Sequence, residues 1–284
     1  MKSSPEPQIL LAGLAFPESP RWHRGRLWVS DWGAREIIAI DPGGKSVVVV
    51  RVDFQAFPMC MDWLPDERLL VTGPGLLRSE PDGSFVPHAD LSGISRYRWN
   101  EIVVDGRGNI YVNGGGFDFG SGEEFKPGLI ALVTPDGSAR QVADGIAFPN
   151  GMAVTPDNST LIVAESYGNR LTAFDIGSDG NLSNRRVWAD VPGDHPDGIC
   201  LDAENAIWSA DVANNHCIRV REGGEMLNEV KIDRGCFACA LGGPDGKTLF
   251  IVANEWRGLE AAAEASREGQ VLTVEAPARG AGWL

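Results

Sequence analysis

The chain has 284 residues, with 25 Lys and Arg against 39 Asp and Glu, for a formal charge of −14. That balance disfavours nucleic acid and anionic membrane as partners, since both draw their affinity from clustered cations. No apolar run approaches the ~18 residues of a membrane helix, and Met1–Pro5 is polar where a signal peptide turns apolar, so the expected compartment is the cytoplasm.

Thirty-five glycines point to many tight turns and hence many short strands. In chain order a three-residue apolar core recurs: Leu27-Trp28-Val29, Leu69-Leu70-Val71, Ile110-Tyr111-Val112, Leu161-Ile162-Val163, Ile207-Trp208-Ser209 and Leu249-Phe250-Ile251. Their first residues are 42, 41, 51, 46 and 42 positions apart. A polar or Gly-containing turn precedes each core, as in Asp105-Gly106-Arg107-Gly108 and Pro244-Asp245-Gly246-Lys247, and joins it to an earlier strand as a hairpin. Further strands such as Ile37–Ile40 and Leu171–Phe174 follow several cores. The pattern predicts an all-β chain, residues 1–284 forming a single six-bladed β-propeller of four-stranded antiparallel sheets. Two stacked sandwiches would not give so regular a period. The one helical signal is Gly258 to Arg267, and Gly269–Val274 reads as a strand that completes a blade shared by the two ends of the chain.

The 51-residue interval contains Asn113 to Ser121 and Gly122, a Gly-rich loop with Phe117, Asp118 and Phe119. It reads as a cover over a site, with two aromatic rings as an apolar wall and Asp118 able to bind a substrate hydroxyl. The five cysteines, at 60, 200, 217, 236 and 239, are odd in number and suit no disulfide framework; Cys236-Phe237-Ala238-Cys239 reads as buried thiols in a strand. His23, His88 and His216 have no constellation around them in sequence, and His195 has no evident partner.

In a propeller the first strand of every blade borders the central channel, and all six begin at one end. Counting back 9 to 11 positions from each core reaches Glu18, Cys60, Asn100 with Glu101, Asn150, Asp197, and Ala238 with Cys239. Carboxylates and amides converging on a narrow channel lose hydration and repel one another unless a cation lies between them. A hard divalent ion fits such oxygen donors, Ca²⁺ first, with Mg²⁺, Mn²⁺, Zn²⁺ or Fe²⁺ as alternatives.

Four segments at these positions resemble one family. Glu18-Ser19-Pro20-Arg21-Trp22, Arg98-Trp99-Asn100-Glu101, Phe148-Pro149-Asn150-Gly151 and Pro196-Asp197-Gly198 are similar, in order, to the motifs of the SMP-30/gluconolactonase/luciferin-regenerating enzyme-like propellers. The resemblance covers about Gly13 to Trp256. It implies a divalent metal held by Glu18, Asn150 and Asp197, with Asn100 close enough to coordinate or to touch substrate, and it implies that Arg98 and Asn100 face a bound lactone. The chain departs from the pattern at Glu101, usually Asp, and at Ser19, often Gly. Glu101 and Trp99 add bulk beside the substrate wall.

The expected activity is metal-dependent hydrolysis of a lactone or related ester, with Asp197 as the general base that takes a proton from water. Phosphotriester hydrolysis with Asp197 as nucleophile, and a non-catalytic Ca²⁺-binding scaffold, are the alternatives. The expected partner is a small-molecule lactone or ester.

Overall fold

A computed structural model describes residues 6–54, 57–73, 75–119, 121–258 and 267–281. Six four-stranded antiparallel sheets are arranged around one axis, confirming the six-bladed propeller. The strand β1 (Gln8–Leu14) belongs to the last blade. The first blade is β2 (Pro17–His23), β3 (Arg26–Asp31), β4 (Glu36–Ile40) and β5 (Ser46–Arg51). The second is β6 (Met61–Trp63), β7 (Leu69–Thr72), β8 (Leu76–Ser79) and β9 (Phe85–Ala89). The third is β10 (Trp99–Val104), β11 (Ile110–Gly114), β12 (Gly128–Val133) and β13 (Ala139–Ile146). The fourth is β14 (Pro149–Val154), β15 (Thr160–Glu165), β16 (Arg170–Ile176) and β17 (Leu182–Asp190). The fifth is β18 (Pro196–Leu201), β19 (Ala206–Asp211), β20 (His216–Arg221) and β21 (Met226–Lys231).

The last blade closes the ring. Its strands β22 (Gly235–Gly242), β23 (Thr248–Asn254) and β24 (Gly269–Glu275) are joined on the outside by β1, which pairs antiparallel with β24. This is the shared blade expected from the sequence. Of the expected helix, 259–266 lie outside the described residues, among which the only helical element is a single 3-10 turn at Ser166–Gly168.

Each recurring core is the second strand of its blade, and its alternating faces fill the gaps to the blades on either side. Six apolar clusters result, one per interface. Between blades four and five, Ile162, Ala164 and Leu171 meet Ile199, Ile207 and Ile218. Across the closing seam, Leu27 and Val29 meet Phe250, Val252 and Val271, with Leu14 and Phe16 completing the layer. Burial of this kind stabilises by roughly 25 cal/mol per Å² of apolar surface, and here it fixes the blades as a ring rather than as separate sheets.

The innermost strands β2, β6, β10, β14, β18 and β22 pack side by side around the axis. Five of them carry a register shift near their start, at Glu18/Arg21, Trp99/Ile102, Pro149/Met152, Pro196/Ile199 and Cys236/Ala238. A bulge breaks the strict alternation of side chains and re-aims the residues within it. Asn100, Asn150 and Asp197 lie inside these bulges and Glu18 at the edge of one.

Candidate metal centre

Glu18 on β2 and Asp197 on β18 stand on either side of the sixth blade, and the charge of Glu18 reaches Asp197. Burial pushes the Glu18 carboxyl up to about 8, opposed by the Ser19 N–H that donates to its Oε2 at 2.8 Å and reinforced by the charge of Glu101. Asp197 is pushed well above the carboxylate range, first by burial and then by Glu18, Glu101 and Asp211, while a hydrogen bond with Asn150 lowers it. Asn150 also donates to Ser166 Oγ at 3.5 Å, and Asn100 donates to Pro149 O at 3.4 Å. The structure thus brings Glu18, Asn100, Asn150 and Asp197 to neighbouring positions around the mouth of the channel.

Glu101 is buried beneath this ring. Its Oε1 accepts from Arg21 Nη2 at 3.0 Å and from the Ile102 N–H at 2.8 Å. Arg21 therefore pairs with Glu101, and although its charge also lowers the Glu18 pKa, neither Glu18 nor Asp197 has an ion-pair partner among the described residues. Two desolvated carboxylates in one field, with two amides beside them, are an oxygen donor set that fits a hard divalent ion.

Close approach of the inner strands sets the width of the ring. A Cβ on Gly198 would lie 2.2 Å from Ala238 Cβ, and one on Gly151 would lie 2.5 Å from the Ile199 nitrogen. The glycines that follow Asn150 and Asp197 are thus steric requirements. Ser19, where the resemblance implies glycine, has a left-handed backbone (φ 47). Its fully buried hydroxyl accepts from the Met61 N–H at 3.0 Å, which offsets part of that strain.

The other expected residues divide. Arg98 is exposed and its Nη1 donates to Phe57 O, which ties it to the rim above β6. Asp118 is exposed in the loop between β11 and β12. Trp99 is not a wall of the site: it is 5% exposed and packs with Leu70, Leu91, Ile102 and Val112 between blades two and three. In the sixth blade the shift at Cys236/Ala238 puts Phe237, rather than Ala238 or Cys239, at the head position. Phe237 joins Phe16, Trp32, Phe57 and Trp256 in one aromatic group at the seam. Phe117, Phe119, Phe125, Phe148 and Tyr167 form a second, over blades three and four.

Two histidines that lacked a constellation in sequence have one in the fold. His216 Nε2 lies 3.1 Å from Asp194 Oδ1 and its Nδ1 2.8 Å from Glu229 Oε1. Asp194, Asp211 and His216 place oxygen and nitrogen atoms within 4.8 Å of one another, and the hydrogen bond to Asp194, with help from Glu229, raises the His216 pKa. His23 stacks on Trp63, ring centroids 4.1 Å apart, and lies 3.5 Å from Glu67. His195 is partnered as well: its N–H donates to Asp211 Oδ2 at 2.6 Å, and its ring stands 4.0 Å from the same atom.

Sequence reasoning missed a polar latch at the end of each second strand. Asp31 accepts from the Ala15 and Phe16 N–H groups at 2.9 and 2.7 Å, Thr72 from Cys60 at 2.8 Å, and Glu165 from Ala147 at 2.7 Å. Asn113 accepts from Glu101 and donates to Asn150 O at 2.6 Å; Asp211 holds His195, and Asn254 donates to Ala15 O at 3.0 Å. Each clamps the backbone at or near the head of an inner strand. The signal was available: a polar residue stands three to five positions after the start of every core.

Comparison with known proteins gives the family. The chain is 28% identical over 244 residues to a diisopropyl-fluorophosphatase of Loligo vulgaris, covering 78% of each chain. It is 31% identical over 252 residues to a regucalcin of Xenopus laevis, covering 83% of this chain and 82% of that one. The crystal structure of a calcium-binding protein, regucalcin, from Agrobacterium tumefaciens superposes with a TM-score of 0.80 at 20% identity, covering 99% and 96% of the two chains. A family profile described as SMP-30/Gluconolactonase/LRE-like region matches residues 16–255, and with the motifs standing at the channel mouth the chain belongs to that family of lactonase-type hydrolases.

Proposed function

We propose that the protein is a divalent-metal-dependent lactonase whose metal is held by Glu18, Asn150 and Asp197, with Asn100 alongside. The observation that carries the reading is the pair of desolvated carboxylates, Glu18 and Asp197, neither of which has an ion-pair partner among the described residues, while Glu101 has Arg21. A bound Ca²⁺ or similar ion would polarise the lactone carbonyl and offset the charge that grows on its oxygen. Asp197 takes the proton from the attacking water. Arg98, anchored to the rim, and Asp118 on the long loop bind substituents of the substrate. The two aromatic groups flank the mouth and favour apolar or aromatic lactones over polyhydroxylated ones.

Two nearly isosteric substitutions test the assignment. Asp197→Asn keeps an oxygen donor but removes the base, so kcat falls at least about a hundredfold and excess metal does not restore it. Glu18→Gln weakens metal binding, and excess metal restores part of its activity. Equal rescue of both variants would reduce Asp197 to a ligand. The assay panel pairs sugar, aliphatic and aromatic lactones with a phosphotriester and a phosphorofluoridate, because the similarity to diisopropyl-fluorophosphatase favours hydrolysis at phosphorus as the second reading. Activity confined to the phosphorus substrates would select that reading.

A further inference from the structure

Four of the five cysteines, far apart in sequence, come together where blades five and six meet. Cys200 Sγ on β18 lies 3.8 Å from Cys239 Sγ on β22, a van der Waals contact with nothing between the sulfurs. Cys217 on β20 adjoins both Cys239 and Cys236. All are free thiols. Their S–H groups have weak partners: Cys239 faces Gly198 O at 3.7 Å and Trp208 O at 3.5 Å.

This cluster is reached from the end of the channel opposite the acidic mouth. A cavity of ≈ 400 Å³ opens there, bounded by the later halves of the inner strands, and both Cys200 and Cys239 line it. Cys200 is half-buried and Cys239 is 2% exposed at the cavity wall, whereas Cys217 and Cys236 are fully buried and do not line the cavity. Of the four thiols, therefore, only one pair has both contact and a route from solvent.

We propose that Cys200 and Cys239 form a dithiol that a hydroperoxide entering this cavity oxidises to a disulfide between β18 and β22. In the first step, written for hydrogen peroxide, the Cys239 sulfur attacks one oxygen: an S–O bond forms, the O–O bond breaks, and the departing hydroxide takes up the proton that the Cys239 thiol gives up and leaves as water. The Cys200 sulfur then attacks Cys239: the S–S bond forms, the S–O bond breaks, and the oxygen leaves as a second water with the proton from Cys200. Two thiols supply the two electrons that the peroxide accepts. The S–H groups of Cys200 and then Cys217 hold the Cys239 thiol below the usual cysteine range, which supports Cys239 as the attacking sulfur. The bond would tie the two strands together three residues from Asp197.

The test treats the folded protein with hydrogen peroxide, blocks free thiols at low pH in denaturant, and maps peptides by mass. The expected result is one species lighter by two hydrogens, with Cys200 and Cys239 linked, Cys60, Cys217 and Cys236 still alkylated, and full reversal by dithiothreitol. Cys200→Ala should leave Cys239 as a sulfenic acid trapped by dimedone. Five thiols still alkylated in wild type, or a link from Cys239 to Cys217 instead, would overturn the proposal. Because the mapping is decided on the wild-type chain, a variant that fails to fold does not obscure the answer.

Discussion

Gly198→Ala probes the link between channel width and the placement of Asp197. The added methyl carbon would lie 2.2 Å from Ala238 Cβ, 2.6 Å from Ala238 Cα and 3.1 Å from Phe237 O. Ordinary contact begins near 3.4 Å, so β18 and β22 must separate by about 3.4 − 2.2 = 1.2 Å. None of the obstructing atoms is the far end of a flexible side chain, so nothing can rotate away. Overpacking of this kind costs about 1–3 kcal/mol, equivalent to a fall in Tm of roughly 2–10 °C. The shift falls on the residue after Asp197, and misplacement of a catalytic group by ~1 Å can cost about a hundredfold in rate. Gly93→Ala is the control, since a Cβ there meets nothing within 4 Å. Thermal melts and lactone turnover of both variants decide the matter. A Gly198→Ala protein with wild-type Tm and activity would refute the idea that inter-blade contact sets the site.

Three further outcomes follow from other contacts. Ser19→Ala keeps the left-handed backbone but leaves the buried Met61 N–H unpaired, and should lose about 1–2 kcal/mol in urea denaturation; Ser19→Gly loses the same bond yet relieves the strain, and should stay close to wild type. The His216 pKa is raised, first by Asp194 and also by Glu229, so its contribution is fully present below about 6.5 and is lost as pH rises through the folded value. The stability gap between wild type and His216→Gln should therefore be widest below pH 6.5 and narrow at higher pH. Phe119→Ala removes an aromatic surface at the mouth and should lower kcat/KM for an aromatic lactone about fivefold, from roughly 40 Å² of lost apolar contact, with little change for gluconolactone.

The six blades were legible because each is built from consecutive hairpins, so the period of the chain is the period of the fold. Glu18, Asn100, Asn150 and Asp197 could be placed at one end for the same reason. What counting could not supply was the bulge. Strict alternation sends Trp99 and Asn100 to opposite faces but does not say which face is the channel, and it misplaced the sixth head by assigning Ala238 and Cys239 instead of Phe237. Contacts between blades were equally hidden. Cys200 and Cys239 are 39 positions apart, and only the packing of β18 against β22 makes them meet; His216 meets Asp194, 22 positions earlier, because the start of β20 lies beside the segment that leads into β18 of the same blade.

Burial alone does not mark the functional acid. Glu165 is fully buried, yet its pKa is lowered: hydrogen bonds from Arg170, Thr172 and the Ala147 N–H overcome its desolvation, and Arg185 adds a contact at 2.9 Å. Glu18 is nearly as buried, accepts from Ser19, and its pKa rises to about 8. An acid raised from 4.5 destabilises the fold as pH climbs from 4.5 towards 8, because the unfolded chain ionises freely and the folded one does not. The penalty at neutral pH is on the order of a few kcal/mol. Glu18→Gln should therefore make the metal-free protein more stable at pH 7, with the gain vanishing near pH 4.5. Millimolar Ca²⁺ should reverse the order by stabilising wild type more than the variant. Glu165→Gln should be destabilising with or without metal, since it strands Arg170 and Arg185. Urea titrations of the three proteins, with and without chelator, separate these cases. Loss of stability in metal-free Glu18→Gln at pH 7 would mean that Glu18 is already satisfied by the protein, and the argument for a cation at the channel mouth would fail.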